Sequence, residues 1–171
     1  MTSLHDKLCV SIGGTDAAQC LRILERYSFA EIRLDTMTGS AADIRRIFNR
    51  PVTLIATCRP GPFTEEERGQ RLRAAMEAGA AWVDVEREAP AAWRDEMIGL
   101  ARRHGCRVIV SHHDYAATPA PADLRQLVED CFQRGADVAK IACLVRAPRE
   151  NARLLALLDD RDRRPVIKYS R

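Results

Sequence analysis

Six side chains suited to chemistry stand at or near the C-terminal ends of β-rich runs: Ser11, Arg33, Arg59, Glu86, His113 and Lys140. Lys140 lies in Ala136-Asp137-Val138-Ala139-Lys140-Ile141-Ala142, between small and apolar neighbours. An ammonium is costly in such surroundings, so its pKa should fall toward neutrality. A neutral amine can attack a ketone and form an imine, which then acts as an electron sink. The plainer reading of a lone strand lysine is an edge or surface residue, and the apolar flanks argue against it here. His113 is the natural general base, because an unperturbed imidazole titrates near neutrality; the plainer reading is a hydrogen-bonded structural histidine. His112 should face the other way, toward the helices, and takes no role. Arg33 and Arg59 suit a carboxylate or hydroxyls. Alternatively they form salt bridges within the fold, with Glu31, Asp35, Asp84 and Glu86 as available partners.

These groups must be held by the runs that carry them. The sequence predicts strands at Leu8–Ile12, Ala30–Asp35, Val52–Arg59, Trp82–Glu86, Arg107–His113, Val138–Cys143 and Pro165–Ser170. Amphipathic helical stretches lie between them. Thr64 with Glu67 forms a capping box, Ser40 with Asp43 offers a similar start, and Gly79, Gly105 and Gly135 sit where helices should stop. Strand then helix, repeated without a hairpin signal, means a parallel sheet with helical crossovers.

An open doubly wound sheet and a (β/α)8 barrel both fit that repeat, and side-chain phase decides between them. Glu31, Arg33 and Asp35 share one strand face, with Ile32 and Leu34 on the other. Thr53, Thr57 and Arg59 share a face, as do Asp84 and Glu86, and Ser111 with His113. An open sheet is covered by helices on both sides, so its strands read as nearly continuous apolar runs. A barrel supplies the polar face seen here, because its inward side lines the site near the C-terminal mouth. The expected fold is therefore α/β, a TIM (β/α)8-type barrel. A complete one usually needs about 250 residues and rarely fewer than about 200. At 171 residues, a single incomplete barrel domain of about seven strands is expected over residues 1–171.

The motifs then resemble one family. Glu31-Ile32-Arg33-Leu34-Asp35 looks like the E-x-R-x-D second strand of type I 3-dehydroquinate dehydratases. Thr57-Cys58-Arg59 resembles their T-x-R third strand, and Val83-Asp84-Val85-Glu86 their D-x-E fourth strand. Ser111-His112-His113-Asp114-Tyr115, with Thr118-Pro119, is similar to their S-x-H-[DN]-aromatic-x-x-T-P segment. Asp137-Val138-Ala139-Lys140-Ile141-Ala142 looks like the strand of their Schiff-base lysine. The resemblance implies a cofactor-free lyase of the shikimate pathway. Lys140 forms an imine with 3-dehydroquinate, and His113 takes a proton from the adjacent carbon and returns it to the departing hydroxyl. Ser11, Glu31, Arg33 and Arg59 match positions that contact substrate, and Tyr115 stands where an aromatic ring lines the pocket.

The chain departs from the pattern twice. Arg59 is followed by Pro60-Gly61-Pro62-Phe63-Thr64, where the family commonly carries E-G-G and its glutamate orients the catalytic histidine; Glu65 and Glu66 are the nearby substitutes. The family also continues with a Met-Gly turn, a carboxylate-binding arginine and an eighth strand, and the sequence stops at Arg171 before them. That ending predicts a C-terminally truncated member with unpaired strand edges, self-association as a homodimer, and weakened turnover. A silent remnant acting through self-association or a partner is the competing reading. An aldolase of the Schiff-base class shares Lys140 but leaves the His113 motif and the E-x-R-x-D strand unexplained.

Composition narrows the partners. The formal charge of +3 calls for neither nucleic acid nor membrane and suits a small anionic substrate. Arg161-Asp162-Arg163-Arg164 reads as a solvated loop. Met1–Lys7 has no apolar leader region and no stretch reaches spanning length, so a cytoplasmic location follows. The six cysteines form no C-x-x-C and no Cys/His cluster, so buried thiols are expected, without disulfides or a metal site.

Overall fold

Three helix starts are set by side chains that bond the nearby backbone. Ser40 Oγ accepts the Asp43 N–H at 3.3 Å while the Asp43 carboxylate accepts the Ser40 N–H at 2.9 Å. Thr64 and Glu67 repeat the exchange at 3.2 and 2.7 Å. A third box, Asp16 with Gln19, has the same spacing and escaped the sequence reading. Each box satisfies donors that a helix leaves open at its start. Helix ends are released by Gly79, Gly105 and Gly135, whose φ values of 103°, 68° and 91° carry little steric penalty only without a Cβ.

The computed structural model describes residues 8–159 and 165–170; the expectations for Met1–Lys7 and for the Arg161–Arg164 run lie outside them. The strands are β1 (Val10–Ile12), β2 (Phe29–Arg33), β3 (Thr53–Thr57), β4 (Trp82–Glu86), β5 (Arg107–Asp114), β6 (Val138–Cys143) and β7 (Val166–Ser170). The helices are α1 (Ala17–Leu24), α2 (Ala41–Phe48), α3 (Glu65–Glu77), α4 (Ala91–Arg103), α5 (Pro121–Gln133) and α6 (Pro148–Ala156). Strand order follows chain order from β1 to β7. A doubly wound sheet would reverse its order at a switch point. The fold is that of a TIM (β/α)8-type barrel, with seven strands among the described residues.

Two compact units are distinguished, one running through Asp84 with Ala91–Arg107, the other Val85–Pro90 with residues from Val108 onward. In the first, β1, β2, β3 and β4 pair in parallel, with Ser11 beside Glu31, Arg33 beside Thr57, and Thr57 beside Asp84. Ile32 and Leu34 are fully buried, as are Ile44, Ile47 and Leu72 of α2 and α3. Each such side chain contributes about 1.5–3 kcal/mol by leaving water, and this apolar layer fixes which way the polar face points. In the second unit β5, β6 and β7 pair in parallel, with Ser111 beside Lys140 and His113 beside Ala142. Val108, Val110, Ile141, Leu124 and Leu154 supply its buried layer.

Five of the six cysteines are buried, whereas Cys9 is exposed. Burial pushes the thiols of Cys20 and Cys143 up to about 11 and that of Cys131 up to about 12, which keeps them protonated and unreactive at neutral pH. No helix of the described residues is long and apolar enough to cross a membrane.

Candidate active site

In the first unit the polar face is knit together by its own charges. Glu31 accepts from two hydroxyls, Ser11 Oγ at 2.7 Å and Thr57 Oγ1 at 2.8 Å. Adjacent parallel strands place registered side chains on one face, so the Ser11–Glu31 bond follows from their register. Arg33 grips Asp35 with Nε and Nη2 at 2.9 and 2.6 Å. Burial pushes the Asp35 carboxyl up. The Arg33 guanidinium and the backbone N–H groups of Arg59 and Asp35 more than offset this, holding it below the ordinary range. Arg59 Nη2 meets Asp84 Oδ2 at 2.8 Å, with side-chain exposures of 12% and 0%. Of the two sequence readings for Arg33 and Arg59, the ion pairs within the fold are formed.

The strand ends that carry these groups are pinned from α3. Arg68 is 4% exposed, and its Nε donates to the Cys58 carbonyl at 2.9 Å. Arg71 donates to the carbonyls of Leu34 and Met37 at 3.2 and 2.9 Å. The loop after β1 lies so near β2 that a Cβ at Gly13 would meet Thr36 Oγ1 at 2.6 Å. Only glycine fits that approach without a shift.

The second unit holds the groups expected to do the chemistry. Ser111, fully buried, and Lys140, half-buried, are neighbours across β5 and β6. His113 lies two residues beyond Ser111, so strand alternation gives it the same face. Lys140 is flanked by Ala139 and Ile141, both fully buried. The exposed Tyr115 ring stacks on His113 with centroids 6.2 Å apart and planes at 21°. Asp114 Oδ1 accepts the N–H groups of Ala116 and Ala117 at 2.8 and 2.9 Å, which hold its carboxyl below the ordinary range. Thr118 Oγ1 donates to the Leu144 carbonyl at 2.8 Å, and the Leu144 N–H donates to the Asp114 carbonyl at 2.9 Å. The loops after the His113 strand and the Lys140 strand are therefore tied to each other.

Glu86 ends β4 and is half-buried, and Glu65 and Glu66 lie exposed in the first turn of α3. Sequence reasoning missed the tie made by Thr118, although its position in the T-P pair after the histidine marked it. It also missed the ring of His112, which meets the carboxylate of Glu88. The signal there was the charged run Glu86-Arg87-Glu88 at the end of a strand. Among the described residues no cluster of three His, Cys, Asp or Glu could hold a metal ion.

The model of the family described as Type I 3-dehydroquinase matches residues 8–171. This chain belongs to that family. The 3-dehydroquinate dehydratase of Syntrophobacter fumaroxidans is 32% identical over 175 residues, spanning 92% of this chain and 72% of that protein. That of Dehalococcoides mccartyi is 30% identical, spanning 95% of this chain and 74% of the other. Among solved structures, type I 3-dehydroquinate dehydratase from Clostridium difficile superposes with a TM-score of 0.84 at 19% identity, over 95% of this chain and 74% of that one. The enzyme from Enterococcus faecalis gives 0.83 at 21% identity, over 95% and 78%. At such identities the structures speak for the fold, which is that of the type I 3-dehydroquinases.

Proposed function

We propose that the protein dehydrates 3-dehydroquinate to 3-dehydroshikimate through an imine on Lys140. The neutral amine of Lys140 adds to the ketone carbon, and the carbinolamine loses water to give the imine. The imine acidifies the adjacent carbon, and His113 removes its proton to leave an enamine. The enamine expels the neighbouring hydroxyl, to which His113 returns the proton, so one water departs. Hydrolysis of the imine restores the amine and frees the conjugated enone. No electrons are exchanged with a co-reactant, and the net change is loss of one water.

The observation that carries this reading is the shared face of Ser111, His113 and Lys140 on adjacent parallel strands. A nucleophile and a base that act on neighbouring carbons need that proximity. Ser11, Glu31, Arg33 and Arg59 are assigned to the substrate's hydroxyls and carboxylate, with Tyr115 against the ring. A cytoplasmic location and a homodimer belong to the same proposal; sedimentation that returns a monomer removes the latter. The competing reading, a silent family member acting through self-association or a partner, is favoured by the ion pairs that engage Arg33 and Arg59.

The ultraviolet absorbance of the enone separates the two. Turnover should be abolished by Lys140→Ala and lowered about 10²–10⁴-fold by His113→Ala, the usual range for a lost general base. Binding of 3-dehydroquinate with no enone formed supports the silent reading instead.

A further inference from the structure

The reaction as written leaves out the charged residues that follow β4 and the histidine next to His113. His112 alternates away from Ser111 and His113 along β5, so it projects from the opposite face of the strand. Its side chain is 15% exposed, and its Nδ1 meets Glu88 Oε1. Glu88 also receives Arg87 Nη1 at 3.2 Å. The other terminal nitrogen of Arg87 reaches Asp130 on α5 at 2.8 Å, where Gln126 also donates at 3.2 Å. Meanwhile the backbone N–H of Arg87 donates to the Ser111 carbonyl at 2.8 Å. The turn after β4 is thus fastened to β5 twice, by main chain at Ser111 and by side chain at His112, and is anchored to α5.

We propose that His112 is a positioning residue whose pairing with Glu88 fixes the end of β5, and with it the ring of His113. The inference deepens the assignment of His113 as the proton-transfer group and rests on it. Half-buried charges are a poor source of net stability, because desolvation consumes most of their attraction. An apolar ring at position 112 would fill the same space against the helix side. What the pair adds is direction, because a charged hydrogen bond has one preferred geometry where a packed ring has several. A general base must stay within about 2.6–3.2 Å of the proton it moves. Its backbone neighbour is an effective place from which to hold it. Burial pushes the Glu88 carboxyl up, yet its bonds to His112 and then Arg87 hold it below the ordinary range, so the carboxylate is charged at neutral pH.

The chain contains four histidines, few enough for each ring to be assigned by nitrogen-15 spectroscopy. Three variants are required: His112→Phe, Glu88→Gln and the two combined. Each single change should move the His113 ring resonances and titration midpoint in the same direction, and the combination should do no more than the larger single change. With 3-dehydroquinate, kcat should fall about tenfold, within the roughly hundredfold that a one-ångström misplacement costs, while KM stays within about twofold. His112→Gln, which keeps a donor for Glu88, should recover part of the loss. Unmoved His113 resonances in folded variants overturn the proposal, as do effects of the two changes that simply multiply. If His112→Phe does not fold, Glu88→Gln decides alone, since that side chain is 49% exposed. Should no form turn over, coupled His113 shifts still support the positioning role, and the dehydration reading is what fails.

Discussion

Which carboxylate holds which arginine could not be read from the chain. The sequence supplies Arg33 and Arg59 with Glu31, Asp35, Asp84 and Glu86 in reach, but register selects the partner, and hydrophobic periodicity is blind to charge pairing. Arg59 takes Asp84 at 2.8 Å with both side chains largely out of water. Removing one member of such a buried pair typically costs about 3–5 kcal/mol. Arg45 and Glu77 form the opposite case, at 53% and 37% exposure, where a pair contributes about 0–1 kcal/mol. Asp84→Asn should therefore lower unfolding free energy in urea by about 3 kcal/mol, and Glu77→Gln by less than about 1. Equal losses would show that burial of the Arg59 pair does not govern its strength. Thr57 is instructive for the same reason: its place on the polar face was legible, but its bond to Glu31 depended on the neighbouring strand.

The starts of α2 and α3 were legible, because a capping box is local chemistry spelled out in four residues, whereas α5 and α6 begin at a proline without a side-chain cap. Strand limits were less so. The reading ran β2 on to Asp35 and β3 on to Arg59, whereas the strands end at Arg33 and Thr57. Alternation of polar and apolar residues continues past the ladder there, since Asp35 and Arg59 are held by side-chain bonds rather than by strand pairing. At β1 the reading began two residues early, at Leu8 instead of Val10, and at β5 it stopped one residue short of Asp114, which pairs with Cys143. The caps lend themselves to a direct test. Ser40→Ala and Thr64→Ala should each cost about 1 kcal/mol at neutral pH. Bonds to Ser40 and Thr64 hold the partner carboxyls of Asp43 and Glu67 below the ordinary range. A carboxylate with a lowered folded pKa stabilises above its unfolded value and loses that contribution as pH falls. The gap between wild type and the double variant should thus narrow below about pH 4, near the unfolded carboxylate values. A gap that stays constant down to pH 2 would mean the reciprocal carboxylate bonds contribute nothing.

Across the chain, the fold was legible because five motifs recur in strand order and because one face of strand after strand is polar. That pattern suits a barrel mouth and fits no sheet covered on both sides. Less legible was what supports the chemistry from behind: the tie between Thr118 and Leu144, the arginines of α3 on the ends of β2 and β3, and the Glu88–His112 pair. Such bonds join elements far apart in sequence, and their members look like ordinary surface residues until the strands are in place. The central claim, an imine on Lys140, has a clean chemical readout because the chain has only three lysines, Lys7, Lys140 and Lys168. Borohydride reduction in the presence of 3-dehydroquinate, followed by peptide mass spectrometry, should place a single reduced adduct on the peptide carrying Lys140 and find none in Lys140→Ala. An adduct that survives that substitution, or that maps to Lys7 or Lys168, contradicts the account.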